Sequence, residues 1–152
     1  MLAQSSPIAS NRESSPGAAE LSPPRLLVID DDNLHRMIIC RLAAKAGYVP
    51  AGAAGYDEAA ELARHSAFDC ITLDLLLGQH SGSEMLHQLS ILGCTAPILV
   101  MSGFDAKVVD TAHRLGVARG LKMGRVFTKP IRAADLRDIL NDFKQELDPD
   151  VD

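Results

Sequence analysis

The sequence predicts an α/β domain built on a doubly wound parallel sheet of five strands with five helices. Strand-like runs at 25–30, 48–53, 68–73, 97–101 and 124–128 alternate with helix-like patterns throughout residues 25–147. The first, third and fourth runs are continuously apolar, as strands covered on both faces must be. Charged residues stand where these runs stop: Asp30-Asp31 after Leu26-Leu27-Val28-Ile29, Asp74 after Cys70-Ile71-Thr72-Leu73, and Lys129-Pro130 after Val126-Phe127-Thr128. Five β-α units with right-handed crossovers bring all strand ends of one polarity to one edge. In an open parallel sheet that carboxyl edge is where ligands bind.

The helices are expected from apolar residues at three- and four-residue steps. The first carries Leu34, Ile38 and Leu42, with Asp32 or Asn33 available as its N-cap. A second, alanine-rich, covers about 56–66. The third shows Met85, Leu86, Leu89 and Leu92, the fourth Val108, Ala112 and Leu115, and the fifth Leu136, Ile139, Leu140, Phe143 and Leu147. Each stripe is expected to face the sheet. Residues 1–24 hold Pro7, Pro16, Pro23 and Pro24 among serines and few large apolar side chains, which predicts a disordered tail. Asp148 to Asp152 reads as a second, acidic tail.

Composition narrows the classes of function. The 152 residues, 47% hydrophobic and 23% charged, suffice for one domain plus tails. A net charge of −5 argues against nucleic acid as a direct partner. No apolar run reaches the ~18 residues a membrane span needs. Residues 1–24 lack a signal peptide's basic start and apolar block, so a cytoplasmic protein is expected. Cys40, Cys70 and Cys94, odd in number and widely spaced, are expected to be free thiols.

Asp30, Asp31 and Asp74 form the central constellation. If their strands are neighbours, each like-charged pair at ~5 Å costs ~3 kcal/mol at an effective dielectric of ~20. Such a cluster requires protonation or a cation, and a hard ion such as Mg²⁺ prefers carboxylate oxygens. Asp74 is then placed to act as a nucleophile toward phosphorus, with Lys129 as the compact positive charge. Pro130 makes Lys129-Pro130 a candidate cis bond, and Ser102 in Val100-Met101-Ser102-Gly103 offers a hydroxyl on the same edge.

The segments VIDDDN (28–33), TLDLLLGQHSG (72–82), VMSG (100–103) and FTKP (127–130) together resemble the receiver domain of two-component response regulators, over residues 25–147. The resemblance implies a flavodoxin-like strand order, 2-1-3-4-5. It implies that Asp74 accepts a phosphoryl group from a sensor histidine kinase or phosphotransfer protein. Asp30, Asp31, Asp74 and the backbone carbonyl of Leu76 would hold Mg²⁺ (or Mn²⁺). Ser102 would be the switch hydroxyl and Lys129 the phosphate contact, and Gly82 is the glycine before the third helix. The implied output is a protein target bound at the surface of the fourth helix, fifth strand and fifth helix, by a monomer or a phosphorylation-dependent dimer. The chain ends soon after the last predicted helix, so a stand-alone receiver without DNA binding is expected.

The sequence departs from the family pattern in places. Gly78 stands where members commonly carry proline, and Val126 where an aromatic switch residue is usual. The interval from Ser102 to Lys129 is several residues longer, which predicts an extension within 116–124. Leu76 and Phe104 flank the phosphoryl site, so slow self-dephosphorylation is expected. His35, His65, His80, His87 and His113 show no metal-ligand spacing; His80 is expected to be an exposed loop residue and Cys70 a core residue. Two other functions compete. One is a phosphorylation-independent scaffold of the same fold. The other is a Mg²⁺-dependent phosphatase of the haloacid dehalogenase type, which needs a second acid where Leu76 stands.

Overall fold

The structure, a computed structural model, describes residues 22–103 and 105–147. The expected tails lie outside the described residues, apart from 22–24, and so does Phe104. The main sheet contains β1 (Arg25–Ile29), β2 (Val49–Ala53), β3 (Cys70–Asp74), β6 (Ile98–Ser102) and β7 (Met123–Thr128). Two two-residue strands, β4 (Leu76–Leu77) and β5 (His80–Ser81), form a separate antiparallel hairpin directly after β3. The sheet order is β2-β1-β3-β6-β7, all parallel. Counting only the long strands, this is the expected 2-1-3-4-5.

Among the described residues five helices cover the sheet: α1 (Asn33–Lys45), α2 (Tyr56–His65), α3 (Gly82–Ile91), α4 (Ala106–Ala118) and α5 (Ala133–Leu147). Alternate residues of a strand point to opposite faces, so each apolar run feeds two cores. Leu27, Ile29, Ile71, Leu73 and Val100 pack with Ala59 of α2, Met85 and Leu89 of α3 and Ala112 of α4. Leu26, Val28, Cys70, Leu99 and Met101 pack with Ile39 and Ala43 of α1 and Leu136 and Leu140 of α5. Cys70 is fully buried, and burial pushes its thiol up to about 12, as befits a core residue. All three cysteines are free. Among the described residues no helix is long and apolar enough to cross a membrane.

Three local features differ from the sequence-based expectation. The inward face of α1 is Ile39 and Ala43, whereas Leu34 and Ile38 are exposed. Asp32 caps the helix by accepting from Leu34 N and His35 N, and Ile39 and Ala43 turn inward because they pack with Leu26, Val28, Leu136 and Leu140. In α4 likewise, Val108 is exposed and Ala112 and Gly116 face inward. The third feature is in β7, whose register against β6 shifts from Ile98↔Met123 to Val100↔Val126. Gly124 and Arg125 there oppose the single Leu99, so part of the extra length is taken up inside the strand as a bulge.

The turn from β3 into α3 is tightly packed. A Cβ on Gly82 would lie 2.8 Å from Leu75 Cα and 2.5 Å from Leu75 Cδ2. Backbone cannot yield as a side-chain tip can, so Gly82→Ala is expected to cost roughly 1–3 kcal/mol. Urea unfolding measures this, and an unchanged midpoint would show that the Leu75 backbone shifts freely.

Candidate functional site

The parallel pairing of β1 with β3 aligns Ile29 with Leu73, so the next residues, Asp30 and Asp74, emerge side by side on the carboxyl edge. Both are buried, at 1% and 3% exposure, while Asp31 is exposed. Each of the three offers a carboxylate oxygen, and these oxygens lie within 4.8 Å of one another.

Lys129 follows β7 and reaches into this cluster. Its Nζ donates to Asp74 Oδ2 at 2.9 Å and lies 3.6 Å from Asp30 Oδ2. Its backbone N–H donates to the Ser102 carbonyl at 2.8 Å, which ties the ends of β6 and β7 together. The Lys129-Pro130 peptide is cis. Leu76 N donates to Asp74 Oδ1 at 3.0 Å, and Leu75 N to the Met101 carbonyl at 3.2 Å. Both oxygens of Asp74 are therefore oriented, one by the chain that follows it and one by the lysine.

Ser102 is buried at the end of β6 and pairs with Thr128. It opens on a pocket of about 360 Å³ that is also lined by Ala106, Val109, His113 and Val126. Val126 is 41% exposed there. The described structure thus brings Asp30, Asp31, Asp74, Lys129 and the start of the Leu76 loop together, with Ser102 and Val126 on the adjoining pocket. The expected flanking residue Phe104 lies outside the described residues.

Two histidines do more than their spacing suggested. His35 Nδ1 contacts Asp30 Oδ2. His80 stacks on Tyr56 of α2 with ring centroids 4.4 Å apart, and its Nδ1 lies 3.7 Å from Glu84 Oε1. Tyr56 is itself held by Gln88 of α3 through its hydroxyl. His80 therefore anchors the hairpin after β3 rather than standing free. The anchor matters because Gly78 takes φ +66°, which proline, confined near −65°, cannot adopt. Stacking and the Ser81–Glu84 capping box hold this loop without a proline.

Burial pushes the Asp74 carboxyl above the ordinary aspartate range, and the Asp30 charge adds to the rise; the bonds from Lys129 and Leu76 N oppose it but do not cancel it. For Lys129, burial works against the charge, yet the hydrogen bond to Asp74 and the charges of Asp74, Asp30 and Asp32 carry the net shift upward. One ammonium does not balance three carboxylates. A hard divalent cation fits the set: the donors are all oxygens, they converge, and Asp31 leaves one side open to solvent.

The strand order and an acidic cluster with one lysine on the carboxyl edge define a class, the flavodoxin-like signalling domains. Within it, the chain belongs to the response regulator receiver domain family, whose sequence pattern matches residues 26–141. Receiver domains are signalling modules of two-component systems; they bind Mg²⁺ in an acidic pocket and interact with histidine kinases or phosphotransfer proteins. The chain is 30% identical over 129 residues to the sensory/regulatory protein RpfC of Xanthomonas campestris pv. campestris, covering 82% of this chain and 17% of that protein. The match therefore spans about a sixth of that relative's length. A response regulator from Burkholderia pseudomallei, solved with a phosphorylated aspartic acid, calcium ion and citrate, is similar at TM-score 0.66 and 28% identity, covering 83% of this chain and 71% of that one. The chemotaxis protein CheY4 of Vibrio cholerae shares the fold at TM-score 0.70 and 22% identity, covering 80% of this chain and 99% of that one.

The raised Asp74 has a consequence for stability. Between the ordinary aspartate range and its raised value, the folded state holds more protons than the unfolded, so stability falls as pH rises through that window. Asp74→Asn keeps the shape and removes the charge. It is expected to raise the metal-free thermal midpoint at neutral pH by about 3–5 °C, the equivalent of about 1 kcal/mol in a domain of this size. Calorimetry checks this, and the gain should shrink as the pH is lowered and Asp74 becomes neutral in the parent protein.

Proposed function

We propose that this chain is a phosphoryl-accepting switch in which Asp74 is the phosphoacceptor. The observation that carries this is the geometry around one carboxylate: Lys129 Nζ at 2.9 Å, with oxygens of Asp30 and Asp31 within 4.8 Å. The phosphorylated aspartic acid and calcium ion of the Burkholderia pseudomallei relative support an aspartate as the phosphoryl acceptor.

An oxygen of Asp74 attacks the phosphorus of a phosphohistidine on a kinase or phosphotransfer protein. The O–P bond forms as the P–N bond breaks, and the electron pair of that bond leaves with the imidazole, which takes up a proton. Lys129 then follows the charge from the carboxylate to the phosphoryl oxygens, and the Ser102 hydroxyl donates to one of them. Asp30, Asp31, Asp74 and the Leu76 carbonyl would hold Mg²⁺ (or Mn²⁺), which would supply positive charge against the acids and the phosphoryl oxygens. The transferred group adds roughly −1.5 to −2 charge at neutral pH, which biases an existing equilibrium between two arrangements of the domain.

The readout is a protein target bound at the face of α4, β7 and α5. Ser102 and Val126 share one pocket beneath α4, so a movement of the hydroxyl is felt there. Val126 offers less to swing than an aromatic ring, so the switch works through α4 and the pocket lining. A Mg²⁺-dependent phosphatase is disfavoured because Leu76 provides no second acid, and a phosphorylation-independent scaffold does not explain a buried acidic cluster that lowers stability.

Incubation with acetyl phosphate and Mg²⁺ should label the parent chain and leave Asp74→Asn unlabelled; retained label in the variant removes Asp74 from this role. Leu76 is 64% exposed and follows Asp74 by two residues, and its apolar bulk is proposed to hinder attacking water. Leu76→Asn is expected to shorten the phosphoryl lifetime several-fold, measured by phosphoprotein decay, and an unchanged lifetime would contradict this shielding.

A further inference from the structure

The geometry points to His35 as a positioning residue of the cation site, holding Asp30 so that its remaining lone pairs face Asp31 and Asp74. This rests on the cation site proposed above and adds a residue whose spacing gave no sign of it. Asp30 is 1% exposed and both its oxygens are engaged. Asp32 N donates to Oδ1 at 2.9 Å, while Oδ2 receives His35 Nδ1 and lies 3.6 Å from Lys129 Nζ. A carboxylate only accepts, so Nδ1 carries the hydrogen in this contact.

The other ring nitrogen explains why packing alone does not account for a histidine here. Nε2 is buried and has no hydrogen-bond partner among the described residues. An apolar side chain would fill the same space without burying an unpaired polar atom. The polar function of the ring therefore lies entirely in its bond to Asp30. The same turn of α1 holds the backbone of Asp30 as well. Arg36 donates to the Asp30 carbonyl at 2.7 Å, and its stem lies so close to Gly52 that a Cβ there would meet Arg36 Cδ at 3.1 Å. Gripped at side chain and carbonyl, Asp30 cannot swing outward when repelled by Asp31 and Asp74. The cluster stays assembled before the ion arrives.

Outer partners that orient a ligand typically change metal affinity ~10–100-fold. Mn²⁺ titration of the full chain, followed by electron paramagnetic resonance, tests the role. His35→Leu is expected to weaken binding ~10–100-fold, while His35→Asn, whose amide nitrogen sits at the same branch as Nδ1, stays within about threefold of the parent. His35→Gln moves the amide one carbon further out and should bind as weakly as His35→Leu, so it serves if the leucine variant does not fold. Parent-like affinity in the leucine or glutamine variant, or an asparagine variant as weak as these, overturns the proposal. A parent chain that binds no Mn²⁺ overturns the cation site itself, and this role with it.

Discussion

Two adjacent strands, β1 and β3, end level with each other, and each hands the chain to an aspartate that the sheet has already buried. Register alone brings Asp30 and Asp74 together, because Ile29 stands opposite Leu73 one residue earlier. The rest of the carboxyl edge is arranged around the resulting repulsion. At ~5 Å and an effective dielectric of ~20, each pair of these charges is worth ~3 kcal/mol, a large part of what a domain has to spare. Lys129 relieves part of it by bonding Asp74, and burial with the Asp30 charge raises the Asp74 carboxyl in spite of that bond. Under the proposed function such a site gains first from a cation, which offsets the acids, and then from a phosphoryl group, which offers acceptor oxygens to Lys129 and Ser102.

The scaffold supplies the stiffness this requires. Continuous apolar strands between two helical layers keep the sheet rigid, and α1, through its Asp32 cap, is fixed at the very point where Asp30 and Asp31 emerge. On the other side of Asp74, Gly82 packs against Leu75 and the hairpin of Leu76–Leu77 with His80–Ser81 leans on Tyr56. The acids are thus held from both ends of the loops that carry them. By contrast, the ground around Ser102 and Val126 is open, a pocket rather than a packed joint. Packing is tight where charge is gathered, and open space lies beside Ser102, where the proposed switch would move.

The strands β1, β3 and β6 were legible as continuous apolar runs, and the charges at the ends of β1, β3 and β7 marked the functional edge, patterns that survive without knowledge of neighbours. Strand polarity put Asp30, Asp31, Asp74 and Lys129 on one edge, while their convergence depended on the strand order, which the family resemblance implied. Helix phase was less legible: Leu34 and Ile38 form as good a stripe as Ile39 and Ala43, and only packing against β1 and α5 chooses between them. Val108 misled in the same way beside Val109. The His35 contact lay hidden because its partner is five residues back, across a cap instead of along a helix face. His80 meets Tyr56 from another element entirely, and the bulge in β7 arises from pairing with β6. Spacing reports periodic structure well and reports contacts between a helix end and a loop poorly.

The most direct test of the account is a crystal structure of the full chain grown with Mg²⁺ and beryllofluoride. The account predicts beryllofluoride on an Asp74 oxygen, Lys129 Nζ and Ser102 Oγ within hydrogen-bond reach of its fluorines, and one cation bound by oxygens of the acidic cluster at ~2.1 Å. Beryllofluoride on another residue, or an acidic cluster that stays free of metal under those conditions, would contradict it.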